Sequence, residues 1–191
     1  MMSTHTRTAR VVLLSILAVI ALATTAVSAL TSRGIGHRLA GAGEAALKDL
    51  REAYRLCREL KERSIITWTA SAFAKALVSA RDTGAARQVL EETSAFATIE
   101  GPGWLDWLLD AEAQILLAEG DRDGALERSL QLLGYERERL PAKDVAVQVW
   151  WIARIFGPEA AGGEEEVVAA RRFLEQTHSE QALREPDLVR R

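Results

Sequence analysis

The distribution of hydrophobic and polar residues divides the chain into two unequal parts. Residues 11–30 contain no charged side chain, and 16 of these 20 positions are apolar. From residue 44 onward, apolar side chains recur at every third or fourth position, as in Leu47, Leu50 and Tyr54. That spacing is the period of an amphipathic helix. The pattern predicts an all-α protein in which a single N-terminal hydrophobic helix precedes a helical domain.

Seven helices are predicted after residue 43. Segments rich in glycine or proline separate several of them, because proline disfavours a helix interior and glycine frees the backbone. The clearest break is Gly101-Pro102-Gly103. The predicted helices cover residues 44–61, 64–80, 83–96, 104–119, 123–137, 144–156 and 164–176.

The uncharged segment has two interpretations. About 20 helical residues at ~1.5 Å each can cross a hydrocarbon core of about 30 Å, so residues 11–30 can form a transmembrane anchor. The segment also has the parts of a signal peptide, with Arg7 and Arg10 as its basic start and Val27-Ser28-Ala29 as a cleavage site. An anchor predicts a single N-terminal span with the domain outside the cytoplasm. A signal peptide predicts export after cleavage near Ala29.

Glycines at four positions between residues 34 and 43 predict a flexible connection after the leader. Their spacing is not that of a phosphate-binding loop, because Gly41 is followed by Ala42 and Gly43 rather than by Lys and Ser or Thr. The predicted organisation is a leader over 1–30, a Gly-rich linker over 31–43, a helical domain over 44–178 and a polar tail over 179–191.

The helical part repeats with a period near 40 residues. The second helix of each predicted pair begins near Gly43, Gly84, Gly124 and Gly163, which gives spacings of 41, 40 and 39 residues. The segments Ala80–Ala85 and Gly120–Ala125 occupy equivalent places in two of these pairs. A period of this length is typical of stacked helical hairpins, in which each hairpin buries its apolar face against the next.

One of these turns carries a family resemblance. The stretch Ala113-x-x-Leu116-x-x-x-Gly120-Asp121-x-x-x-Ala125 resembles the helix-turn-helix unit of the tetratricopeptide-repeat (TPR) family. The resemblance covers roughly residues 64–176, although the family's usual period is about 34 residues. It implies a right-handed stack of antiparallel helical hairpins, a TPR-like solenoid. It also implies protein recognition through a concave surface formed by the first helix of each pair.

Composition and charge exclude several other classes. Hydrophobic residues make up 48% of the chain, too many for a disordered protein, and Cys57 alone cannot form an internal disulfide scaffold. The net charge is −3, so nucleic acid is not an expected partner. The three histidines, His5, His37 and His178, lie in the leader, in the linker and at the end of the helical domain, without the i, i+4 spacing of a metal site. We therefore expect no enzyme activity, cofactor or metal site.

The candidate binding residues are aromatic and acidic side chains on the predicted first helices. Trp104 and Trp107 share one face of their helix at i, i+3, and adjacent tryptophans lie about 100° apart on a helix, so Trp150 and Trp151 point in different directions. The helix that carries this second pair is either packed between neighbouring hairpins or partly exposed for a partner. Asp106 and Asp110 form an i, i+4 pair that either faces solvent or makes a groove acidic.

The predicted function is a non-catalytic scaffold or adaptor, anchored in a membrane or exported, that binds a protein or peptide on its first helices. The alternative is a structural repeat protein that assembles into homo-oligomers, because a short helical array exposes apolar ends unless they are capped. The partner and the pathway do not follow from the sequence.

Overall fold

The computed structural model describes residues 4–61, 63–96, 105–180 and 182–183. Across these residues the secondary structure is helical and contains no strand, which confirms the all-α class. The α-helices are α1 (Thr4–Leu39), α2 (Gly43–Leu60), α3 (Arg63–Ser79), α4 (Thr83–Phe96), α5 (Leu105–Ala118), α6 (Arg122–Arg139), α7 (Ala142–Phe156) and α8 (Glu164–Gln176). A short 3-10 helix, Pro158–Ala161, joins α7 to α8. Each of α2 to α8 corresponds to one of the helices predicted from the hydrophobic period.

The N-terminal helix is longer than the uncharged segment and replaces most of the predicted linker. Helix α1 continues to Leu39, so residues 31–39 are helical rather than flexible. Gly34 is buried where α1 meets α2, and a Cβ atom there would lie 2.5 Å from Leu50 Cγ. Glycine thus permits the close approach of two helices at this position. The last part of α1 thus packs against the helices that follow it.

Polar contacts also fix the end of α1 to the domain. The Arg33 guanidinium donates two hydrogen bonds to Asp49 on α2, from Nε to Oδ2 at 2.6 Å and from Nη2 to Oδ1 at 2.7 Å. The hydroxyls of Thr31 and Thr69 lie 3.1 Å apart in the buried interface of α1 with α3. The hydrogen bonds from Arg33 hold the pKa of the Asp49 carboxyl below its usual value. Residues 31–39 therefore have specific partners in the domain.

The same backbone conformation occurs in the turns of four helical pairs. A residue with positive φ stands at positions 41, 81, 120 and 162, and in each case its N–H donates to the carbonyl three residues earlier. The N–H of the next residue then donates to the carbonyl five residues earlier, as from Asp82 to Leu77 and from Asp121 to Leu116, both at 2.9 Å. This pair of backbone hydrogen bonds defines a Schellman motif at the helix C-terminus. The turns pair α1 with α2, α3 with α4, α5 with α6, and the 3-10 helix after α7 with α8.

Two apolar clusters hold the helices together. The first combines α1 to α5 and includes Val27, Leu50 and Phe73. The second joins α5, α6, α7 and α8 through residues such as Leu133, Ile152 and Leu174. Helix α3 packs on both α1 and α5, in addition to its chain neighbours α2 and α4. The first members of the first three pairs thus lie side by side.

The predicted membrane span falls partly outside the described side chains, since those of residues 11–13, 15–17 and 20 are not described. Within the part that is described, no helix has the length and apolar character needed to cross a membrane.

Candidate functional site

A groove runs across the first helices of the pairs. It has a volume of about 590 Å³ and is bordered by the end of α1, by α3, by the first turns of α5 and α7, and by the segment that follows α8. Trp68 and Trp107 supply aromatic surface, and Arg38, Lys75 and Lys143 supply positive charge. We call this the first-helix groove. Such a mixture of apolar surface and a few charged groups is typical of a binding site.

Part of the chain itself lies along this groove. Residues 177–180 and 182 line it, and Ala182 and Leu183 pack against the second apolar cluster. The indole Nε1 of Trp150 donates to the carbonyl of Leu183 at 3.2 Å. The start of the predicted polar tail therefore contacts the domain, while residues 184–191 lie outside the described part of the chain.

A second, acidic cavity adjoins the groove. It has a volume of about 280 Å³, lies between α3, α5, α6 and α7, and shares Lys75 and Trp107 with the groove. Its carboxyl groups come from three helices and are those of Asp106, Asp110, Glu136 and Asp144. We call it the acidic cavity.

Lys75 and Asp110 form the ion pair of this cavity. Lys75 Nζ donates to Asp110 Oδ2 at 2.6 Å, and Gln114 Nε2 donates to Asp110 Oδ1 at 3.0 Å. The Lys75 and Asp110 side chains are only 12% and 25% exposed. Both oxygens of Asp110 are thus occupied by donors from the protein.

Glu136 is the most perturbed carboxyl group in the cavity. It is 7% exposed, and within the described residues its Oε2 atom has no hydrogen-bond partner. Burial, followed by the negative charges of Asp110, Asp144 and Asp106, raises the pKa of Glu136 to about 8. At neutral pH this carboxyl group is therefore largely protonated.

Two further polar atoms in the cavity lack partners among the residues described. They are Oδ1 of Asp106 and the indole Nε1 of Trp151, a side chain that is 5% exposed. Burial raises the pKa of Asp106, although the backbone N–H groups of Trp107 and of Asp106 itself lower it in part. An unmet buried donor or acceptor costs about 1–3 kcal/mol. Three such atoms thus belong to residues that line one cavity.

The structure places most of the sequence-predicted residues around the groove and the cavity. Trp107 lies at their boundary and is 37% exposed, while Asp106, Asp110 and Trp151 line the cavity. Trp150 points away from Trp151, towards Leu183, with the guanidinium of Arg154 5.7 Å from its ring centroid. Trp104 lies outside the described residues.

Lys75, Glu136 and Asp144 line the cavity but were not among the sequence candidates. A signal for Glu136 was present in the sequence, because it continues the buried stripe of α6 at helical spacing after Ser129 and Leu132. Lys75 likewise interrupts the alanine-rich buried face of α3. A charged residue on a buried stripe requires a partner of opposite charge or a shifted pKa, and this rule would have identified both.

No cluster of three or more His, Cys, Asp or Glu side chains within the described ranges is arranged to hold a metal ion. Cys57 is buried in the first apolar cluster, where its thiol lies 3.7 Å from the Thr69 hydroxyl.

Comparisons of the chain with protein-family models, with curated proteins and with solved structures give no match.

Proposed function

We propose that this protein is a non-catalytic, TPR-like scaffold that binds a protein or peptide partner in the first-helix groove. The observation that carries the proposal is that residues 177–180 and 182 of the chain itself border the groove. A groove with room beside one polypeptide segment suits a second, because peptide backbone and side chains meet the same mixture of aromatic and polar groups.

The repeated turn supports a right-handed, TPR-like stack. The Schellman ends of α1, α3 and α5 follow one another at intervals of about 40 residues, and helical pairs joined in the same way generate a superhelix with one concave face. The packing of α3 on α1 and α5 aligns first helices, which is the arrangement that the proposal requires.

The leader belongs to the proposal as an anchor or an export signal, with the domain outside the cytoplasm. Val27, two residues before the candidate cleavage point at Ala29, is fully buried in the first apolar cluster. Cleavage there would remove a core side chain, so the uncleaved chain is the favoured form. The first residue of the mature protein distinguishes the two: Met1, Met2 or Ser3 means an anchor, and Leu30 means release.

Trp107→Ala tests the groove, and Leu130→Ala is the matched control. Trp107 is 37% exposed in the groove, whereas Leu130 is 43% exposed on the second helix α6. Since a central aromatic anchor contributes about 2 kcal/mol or more to binding, Trp107→Ala should reduce partner recovery from solubilised native membranes roughly tenfold or more. Leu130→Ala should leave recovery unchanged. Equal recovery with both variants, or no partner with the unaltered chain, would contradict the proposal.

A further inference from the structure

The acidic cavity has an unbalanced set of charged and polar groups. Four carboxyl groups surround it, and Lys75 is the cation among its described lining residues. Since Lys75 is bonded to Asp110, its charge is already engaged. The cavity would therefore attract a second positive charge.

Unmet hydrogen-bonding atoms further define what would fit. Asp106 Oδ1 is an acceptor without a donor, and Glu136 Oε2 becomes one when Glu136 is ionised. Trp151 Nε1 is a donor that needs an acceptor, and both Glu136 and Trp151 are more than nine-tenths buried within the described structure. A bare ammonium group supplies donors only. A basic side chain attached to a peptide supplies donors together with carbonyl oxygens.

The neighbouring groove shows how such a side chain would arrive. Lys75 and Trp107 line both the groove and the cavity, so the two spaces meet at these residues. The groove itself carries Arg38 and Lys143 beside one acidic residue, Glu180, so a basic residue is less favoured there than in the acidic cavity. The cavity is therefore the place at which a bound peptide would put a positive charge.

We propose that the acidic cavity binds the guanidinium or ammonium group of one Arg or Lys side chain of the partner. Glu136 and Asp106 accept its hydrogen bonds, and a carbonyl of the same peptide accepts from Trp151. This proposal rests on the proposed function, because it assigns the residue class by which the scaffold recognises its partner.

Binding of this kind depends on pH through Glu136. The groups that face the cavity are Lys75 from α3, Asp106 and Asp110 from α5, and Asp144 from α7. A bound cation favours the ionised form of Glu136, whose pKa is otherwise about 8. Affinity for a guanidinium, which stays charged throughout, should therefore rise between pH 6 and pH 9.

The test is calorimetric titration of the full chain in detergent with three probes. They are a terminally blocked Ala-Ala-Arg-Ala-Ala peptide, the same peptide with neutral citrulline in place of arginine, and methylguanidine. At pH 9 the arginine peptide should bind at least tenfold more tightly than either other probe. Glu136→Gln should remove this preference, while Glu127→Gln, an exposed change of equal charge on the same helix, should retain it.

Each contrary result points to a different failure. Equal binding of the arginine and citrulline peptides would overturn the cation site while leaving the groove as a peptide site. Methylguanidine that binds as tightly as the arginine peptide would overturn the assignment to a partner side chain. Unchanged preference in Glu136→Gln would overturn the role of this carboxyl group, and no binding by any probe would mean that the cavity holds only water.

Discussion

The acidic cavity illustrates how strongly the ionisation of a buried carboxyl group depends on the groups around it. Glu136 and Asp110 lie in the same cavity, yet only Asp110 is bonded to Lys75. Glu136 is instead buried beside other negative charges, and both effects raise its pKa to about 8. The sequence shows both carboxyl groups but not their different environments. The packing of the helices brings Lys75 to Asp110 and not to Glu136.

This difference predicts how stability changes with pH. The pKa of Glu136 is raised by folding from 4.5 to about 8, so the folded state holds a proton that the unfolded state has lost in that interval. The contribution of this proton to the free energy of unfolding is fully present below pH 4.5 and is lost as the pH rises to about 8. The free energy of unfolding falls over this interval by up to about 1.4 kcal/mol per pH unit. Urea unfolding of the unaltered chain should therefore show falling stability from pH 5 to pH 8.

Glu136→Gln keeps the shape of the side chain and removes its titration. We expect this variant to gain stability relative to the unaltered chain as the pH rises, with the largest difference at pH 8 and above. Glu127→Gln, on the exposed face of α6, serves as the control and should show no such trend. A pH-independent difference between Glu136→Gln and the unaltered chain would refute the raised pKa.

At the scale of helices, the sequence was informative where hydrophobic spacing and turn residues agreed. Helices α2 to α8 follow the predicted ranges to within a few residues at their ends. The end of α1 was missed because glycine has low intrinsic helix propensity, and clustered glycines are typical of linkers. What stabilises Gly34 in a helix is its contact with Leu50, sixteen residues away, which local patterns do not reveal.

Two glycines of α1 provide a matched test of this packing. A Cβ atom at Gly34 would lie 2.5 Å from Leu50 Cγ, whereas a Cβ atom at Gly36 meets nothing within 4 Å. Overpacking costs about 1–3 kcal/mol, while replacing glycine by alanine in an open helical position gains about 0.5–1 kcal/mol. Gly34→Ala should thus lower the thermal unfolding midpoint and Gly36→Ala should raise it slightly. Identical shifts in the two variants would mean that residues 31–39 are not packed on the domain.

Over the whole molecule, turns of the same conformation lie beside surfaces of different charge. The four turns share one backbone pattern, yet the groove is basic and the adjoining cavity is acidic. The period near 40 residues was visible in the sequence because it depends on local turn residues. The cavity was not visible in the sequence, because its groups come from α3, α5, α6 and α7 and meet only when these helices pack together.

The central claim is that a partner binds in the first-helix groove, and photo-crosslinking from inside the groove tests it most directly. A photoreactive phenylalanine derivative at Leu39, which lines the groove, should give one discrete heterologous adduct in native membranes, and the same substitution at Leu130 on α6 should not. The same adducts from both positions, or none from Leu39, would contradict the claim. An adduct of twice the 20.9 kDa chain from Leu39 would support homo-oligomeric assembly instead.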